Sequence, residues 1–325
     1  MDIFMIFSSF GGLAFFLFGM IVMSERLGKL AGGKLEKLLS RLTSSVPRSI
    51  ILGAGITAVT QSSSAVTVMV VGLVSSGVMT LERAFGVIIG SNIGTTVTSW
   101  ILSLSGLEGE SFIIRLLKPE SFAPLAAFIG ILLNIFGKAE KLKDTGLIML
   151  GFSLLMYGMD LMKSALSPLA QTNILSVSLN SPLLSLVCGA VFTAIIQSSS
   201  ASVGILQALA MTGTITLCDA VPIIAGLNIG TCATALPACL GSSIEAKRTA
   251  ALHILFNLIG AAVCLVLFFT CKSVFSIENF PINPTGIAVI HTLFNVVTTS
   301  FILPFRGLIL RLSEIIIPKR TELSH

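Results

Sequence analysis

The sequence predicts an all-α polytopic membrane protein made of two inverted repeats, and three observations carry that prediction. The first is composition. Hydrophobic residues make up 54% of the chain, charged residues 11%, and mean hydropathy is +0.98, whereas roughly one-quarter of a soluble domain is charged. The second is that several apolar stretches approach the ~20 residues a helix needs to span a bilayer. Helices satisfy their own backbone groups in lipid, and the runs are continuous rather than alternating, which disfavours a β-barrel. The third is duplication. Gln61-Ser62-Ser63-Ser64-Ala65 returns as Gln197-Ser198-Ser199-Ser200-Ala201, and TLERAFGVIIGSNIGTT (80–96) lies over TLCDAVPIIAGLNIGTC (216–232) at a constant offset of 136. Asn92 and Asn228 therefore stand at the same distance from their glutamines.

Residues 3–24 read as a first membrane helix. Residues 25–48 carry Arg26, Lys29, Lys34, Lys37, Arg41 and Arg48 between spaced leucines, which suits either a helix on the membrane surface or a solvated connector. Residues 49–78 contain the first QSSSA. Each arm around it reaches only ~18–21 Å at helical rise, short of the ~30 Å hydrocarbon core. A re-entrant hairpin with QSSSA at its tip is therefore preferred to one long tilted span. Residues 84–104 form a span expected to unwind at Gly90–Thr96, where two glycines flank an Asn. A polar loop (105–120) and spans at 121–137 and 144–164 follow.

The second unit repeats the plan. Residues 151–166 echo 13–27 through Gly19/Gly158, Met20/Met159 and Met23/Met162. The second hairpin is expected at 182–213 and the second broken span at 218–241. A span at 248–272 matches 121–137 through Asn257 and Asn134, and a last span, 286–311, has no counterpart. The units are thus 1–143 and 144–272, with a final helix and short tail over 273–325.

Charge gives the orientation. With both hairpins re-entering, seven full spans place 16 of the 20 Lys and Arg on the side of residues 25–48. Four (Arg115, Lys118, Lys163, Lys272) fall on the other. The positive-inside tendency then puts the N-terminus outside a cell membrane and the C-terminus in the cytoplasm. Three spans separate the starts of the two units, so the units are inverted. The net charge of +5 sits in loops and speaks to orientation, not to nucleic acid. The six cysteines show no metal-type pairing and read as reduced packing residues. No basic n-region precedes the first apolar stretch, so a cleaved signal peptide is not expected.

Hydroxyls and amides in hydrocarbon are costly without partners or a ligand, and two duplicated runs of them suggest one site made from two halves. At each QSSSA tip the second arm begins at the serines, with free N–H groups and the positive end of the helix dipole. That is an anion site without Arg or Lys. The NIGT segments offer amide, hydroxyl and carbonyl oxygens suited to a hard cation such as Na⁺. The i, i+4 pairs His253/Asn257 and His291/Asn295 suit interhelical hydrogen bonding or a proton relay. Gln207 and Asn134 read as helix-packing polar groups, and Asp160 as interfacial. An enzyme is not expected. A buried Ser and a buried His are present, but there is no GxSxG, and a hydrolase needs one nucleophile rather than a duplicated serine cluster.

With its paired QSSSA and NIGT motifs the chain resembles the type II sodium/phosphate cotransporter family, in particular its bacterial members, over nearly its whole length. The resemblance implies Na⁺-driven symport of inorganic phosphate by alternating access, with no organic cofactor. It implies that Gln61, Ser62, Ser63, Ser64, Gln197, Ser198, Ser199 and Ser200 line the phosphate site. Asn92, Thr95, Asn228 and Thr231, with Thr67, are the implied sodium ligands. Many animal relatives carry Thr where this chain has Ala65 and Ala201, which leaves ion stoichiometry open. Many bacterial relatives append a PhoU-like helical domain. This chain stops at His325, so a PhoU-like regulator is expected to be absent or lost to truncation. A homodimer is among the states left open. The alternatives are a sodium-coupled transporter of another small oxyanion or carboxylate, and a non-transporting phosphate sensor.

Overall fold

A computed structural model of the chain describes residues 3–32, 34–43, 45–107, 109, 111–112, 116, 118–170, 181–276 and 279–319. The described residues form helices α1 (Ile3–Ala31), α2 (Lys34–Leu42), α3 (Val46–Thr60), α4 (Ser63–Ser75), α5 (Leu81–Ser103), α6 (Pro119–Phe136) and α7 (Glu140–Ala170). They continue as α8 (Pro182–Ile196), α9 (Ser199–Ala210), α10 (Leu217–Thr231), α11 (Ala235–Ala238), α12 (Ile244–Val274), α13 (Pro284–Ile302) and α14 (Arg306–Ile316). No β-strand occurs among the described residues. One isolated bridge joins Thr216 to Pro281.

Six stretches are long and apolar enough to cross a membrane: α1, α5 with the short turn after it, α7, α10 through α11, α12, and α13 through α14. The span expected at 121–137 is α6, which has only 18 residues and starts at Pro119. The basic stretch 25–48 divides. α1 runs on to Ala31, and only α2 has the strongly two-faced pattern of a surface helix. Its Leu39 is fully buried in a cluster with Ile56, Val66 and Val70, which ties α2 to the first QSSSA segment.

Glycine stripes set the direction of the helices. Gly86, Gly90 and Gly94 lie four residues apart on one face of α5. A Cβ on Gly90 would stand 2.0 Å from Ile50 O, and one on Gly94 2.4 Å from Ala54 O. The contacts climb in the same sense on both helices, so α3 and α5 run parallel and α4 between them runs back. The second unit repeats the device: a Cβ on Gly226 would meet Leu186 O at 2.0 Å, and one on Gly230 would meet Ala190 O at 2.3 Å. By the same reasoning α8 and α10 are parallel and α9 is reversed. By contrast, Gly12 and Gly19 of α1 rest against Gly158 and Gly151 of α7 in descending order. These two helices, which the duplication pairs, therefore run antiparallel.

This packing corrects the expected unwinding at NIGT. α5 is unbroken from Leu81 to Ser103, and α10 is helical through Thr231. The glycines serve close backbone approach instead of opening the helix. The hydroxyls of Ser91, Thr95 and Thr96 bond back to Ile88 O, Ser91 O and Ile93 O at 2.7–3.0 Å, so no backbone has to unwind to satisfy them. The second helix changes only after its motif, tightening to a 3-10 turn at Cys232–Thr234.

Charged groups tie helices together. Asp144 of α7 is buried between Arg26 (3.3 Å) and Lys29 (3.0 Å) of α1. Glu82 at the start of α5 pairs with Arg306 at 3.4 Å, and Arg248 donates to Ile317 O at 2.9 Å. Lys118 and Lys163 meet elsewhere, in a cavity of 380 Å³ beside Pro284 at the start of α13. Arg115 lies outside the described residues.

Candidate functional site

The two QSSSA segments fold alike. α3 and α8 each end on a glutamine in the left-handed region, Gln61 at φ 58° and Gln197 at φ 60°. Their backbone N–H groups donate to Thr57 O and Thr193 O, both at 2.7 Å. A non-glycine residue held there costs ~1–2 kcal/mol, and it recurs at matched positions. The next residue turns the chain into the returning helix. Ser62 Oγ accepts from Ala65 N and Ser198 Oγ accepts from Ala201 N, each at 3.2 Å. Serine at this cap position satisfies one of the free first-turn donors, while the remaining N–H groups of the turn stay directed at the tip.

The tips touch. Ser64 Oγ donates to Gln197 O at 3.4 Å. α1 reaches both of them, since Ser24 Oγ donates to Thr60 O at 3.0 Å and Ser198 Oγ lies 3.8 Å from Met20 Sδ. Beside this junction is a cavity of 840 Å³ lined by Gln61, Ser62, Gln197 and Ser198, with Met20 and Ser24 of α1. No Lys or Arg among the described residues lines it. Glu25 of α1 does line it, so what favours an anion at the tips is the two helix N-termini alone, α4 and α9, brought together from distant parts of the chain.

Four of the eight expected anion-site residues thus line the cavity. Ser63, Ser64, Ser199 and Ser200 form the first turns of the returning helices behind it. Ser63 and Ser199 are each 5% exposed, and Ser200 Oγ donates to Thr98 Oγ1 at 3.4 Å. The five expected cation ligands are buried on α4, α5 and α10 and do not line the cavity. Thr95 and Thr231 spend their hydroxyl hydrogens on Ser91 O and Leu227 O, each at 3.0 Å. Asn228 Nδ2 donates to Ile224 O at 2.9 Å. Thr67 Oγ1 and Asn92 Nδ2 have no partner among the described residues.

Sequence reasoning missed three residues here. Thr98 Oγ1 donates to Gln61 Oε1 at 2.7 Å, and Gln61 Nε2 donates to Ala58 O, so the first tip is latched to α5. The 136-residue offset carries Thr98 onto Thr234, but Thr234 Oγ1 turns to Thr231 O at 2.8 Å inside the 3-10 turn. The second tip therefore lacks the latch. Thr57 and Thr193, also related by that offset, are buried with unpartnered hydroxyls beside Gly94 and Gly230. Extending the offset beyond the two motifs would have found all three.

The other polar groups largely join helices. His291 Nδ1 and Ser99 Oγ share a hydrogen bond of 2.7 Å. Gln207 Nε2 donates to Ser99 O and to Pro284 O, each at 2.9 Å.

Membrane-length helices around a buried polar junction of two duplicated segments define a polytopic membrane protein, and the family its sequence matches is one of transporters, not of enzymes. The model described as Na+/Pi-cotransporter matches residues 15–164 and 165–302, one QSSSA in each stretch, and the chain belongs to that family. It is 33% identical over 312 residues to the uncharacterised protein YqeW of Bacillus subtilis, which covers 95% of this chain and 97% of that one. It is 27% identical over 317 residues to YjbB of Salmonella typhimurium, provisionally named an inorganic phosphate export protein. That match covers 96% of this chain and 55% of the relative, so the chain spans about half the length of that protein. A shorter match, 47% identical over 57 residues, is to sodium-dependent phosphate transport protein 2C of Rattus norvegicus, over 18% of this chain and 10% of that protein. No solved structure matches the chain.

Proposed function

We propose that the chain is a sodium-coupled symporter of inorganic phosphate in the cell membrane, working by alternating access, with the anion held between the two QSSSA tips. The observation that carries this reading is the junction itself: two serine-capped helix N-termini meet at a cavity free of Lys and Arg. Opposed N-termini are complementary to a small dianion. With no fixed cation beside it, a co-bound Na⁺ supplies the remaining positive charge. Alternating access is supported by two features. The paired helices α1 and α7 are antiparallel, as inverted units require. The matched threonines Thr98 and Thr234 take different partners, so one tip is latched while its equivalent is not. Exchange of those two arrangements would turn the site from one side to the other.

Purified protein in proteoliposomes should accumulate labelled phosphate when an inward sodium gradient is imposed, and not with choline in place of sodium. Equal accumulation in both would end the symport reading. The name carried by YjbB favours a second reading, outward phosphate movement. Vesicles preloaded with phosphate distinguish it, because an exporter would empty them without an inward sodium gradient.

The orientation has its own test. Ser45 and Ser181 are related by the 136 offset and are exposed caps of α3 and α8. With the six native cysteines replaced, Ser45→Cys should label from the cytoplasm and Ser181→Cys from outside. Labelling of both from one side would show that the units are not inverted.

A further inference from the structure

Leu35 of α2 lines the tip cavity and also a second cavity, of 880 Å³, between α2 and α3. On the α3 side the second cavity is walled by Arg48, Ile51, Leu52, Gly55, Ile56 and Val59. The spacing i, i+3, i+4, i+7, i+8, i+11 is one unbroken helix face. On the α2 side Leu35, Leu38 and Arg41 follow at three-residue steps, again a single face. Apart from the two arginines the wall is apolar, and no carboxylate among the described residues lines it. The middle is open, since nothing stands within 4 Å of a Cβ placed on Gly55. Ile51 and Val59 are 73% and 55% exposed, so the cleft opens outward from the protein.

The arginines share one end of the cleft. Arg41 is in the last turn of α2 and Arg48 in the first turn of α3, where the chain passes from one helix to the other. From Arg48 to Val59, α3 advances ~16 Å at helical rise. That is close to the ~15 Å of hydrocarbon in one leaflet of a ~30 Å core. Guanidinium groups hold phosphate through paired hydrogen bonds, and basic pockets between helices at the membrane surface recognise anionic headgroups. A free phosphate would use the arginines and leave the apolar wall uncovered. A lipid uses both.

We propose that the cleft between α2 and α3 binds an anionic phospholipid, with its phosphate on Arg41 and Arg48 and one acyl chain laid along α3 past Gly55 to Val59. The acyl chain then ends beside Thr60 and Gln61, which line the tip cavity. With Leu35 reaching both cavities, α2 stands between the lipid and the tips, and the lipid braces that wall. The proposal stands whichever ion or anion the protein carries.

The test is the melting temperature of delipidated protein in detergent. It is titrated with phosphatidylglycerol, with phosphatidylcholine of the same acyl chains, and with glycerol phosphate. Phosphatidylglycerol should raise the melting temperature saturably, and the other two should not. Arg41→Gln combined with Arg48→Gln should raise the half-saturating phosphatidylglycerol concentration about tenfold or more. Lys138→Gln combined with Lys141→Gln removes the same charge from exposed positions at the start of α7 and should leave that concentration within about twofold. Gly55→Phe fills the cleft without meeting a neighbour, and it should weaken phosphatidylglycerol binding with both arginines in place. Should the arginine variant fail to fold, the Gly55 variant serves alone. An equal response to phosphatidylcholine or to glycerol phosphate overturns the proposal, as does an equal loss in the lysine variant. An unchanged midpoint in Gly55→Phe overturns it too.

Discussion

Gly90→Val should abolish recovery of folded protein from the membrane. A Cβ at this position stands 2.0 Å from Ile50 O, with Ile50 C and Cα at 2.7 and 2.8 Å, so the obstacle is backbone and not a side chain that can swing aside. Interiors are packed too densely to absorb this. α3 and α5 would have to separate by more than about 1 Å, and α3 carries the first tip. Overpacking usually costs ~1–3 kcal/mol, and a backbone obstacle with a branched side chain lies beyond that range. Gly226→Val should behave the same way, since its Cβ would stand 2.0 Å from Leu186 O. Gly72→Val is the control, because nothing stands within 4 Å of its Cβ position. Yield and monodispersity after detergent extraction give the readout. Equal recovery of the Gly90 and Gly72 variants would show that the α3–α5 contact is not required.

The same glycines explain what could be read in the sequence and what could not. The class, the helical content and the tip positions follow from composition and from an exact pentapeptide repeat. One helix gives way to the next at Gln61–Ser62 and at Gln197–Ser198, because serine has a strong local preference for the cap position. Gly90 and Gly94 were ambiguous. Glycine permits unwinding and also permits close approach, and only the presence of Ile50 and Ala54 opposite them decides between the two. Those partners lie 40 residues earlier, beyond any local pattern. Thr98 and Thr234 were harder still. They are identical residues at matched positions, yet one latches a glutamine and the other closes a 3-10 turn, so the difference belongs to the conformation and not to the sequence.

Replacing Ser63 by Ala should weaken phosphate binding tenfold or more. Ser63 lies in the first turn of α4 immediately after the cap, and it is buried at the junction without lining the open cavity. In the proposed site, its hydroxyl and the first-turn N–H groups would meet an anion drawn in between the tips. A hydrogen bond to a charged partner contributes ~1.5–3 kcal/mol, and about 1.4 kcal/mol is tenfold in affinity. Ser199→Ala should have a similar effect, because Ser199 occupies the matching place in α9 with the same burial. The double variant should lose less than the sum, since both serines act on one ligand. On the proposed sodium coupling, the two ligands are linked. With no Lys or Arg lining the cavity, removal of Na⁺ should reduce phosphate affinity, and phosphate should in turn raise affinity for Na⁺ by the same factor. Calorimetry on purified protein measures both directions. Equal phosphate affinity in sodium and in choline would remove the coupled site whatever the serine variants did. Wild-type affinity in both serine variants would move the anion away from the helix N-termini and onto the cavity wall of Gln61, Ser62, Gln197 and Ser198.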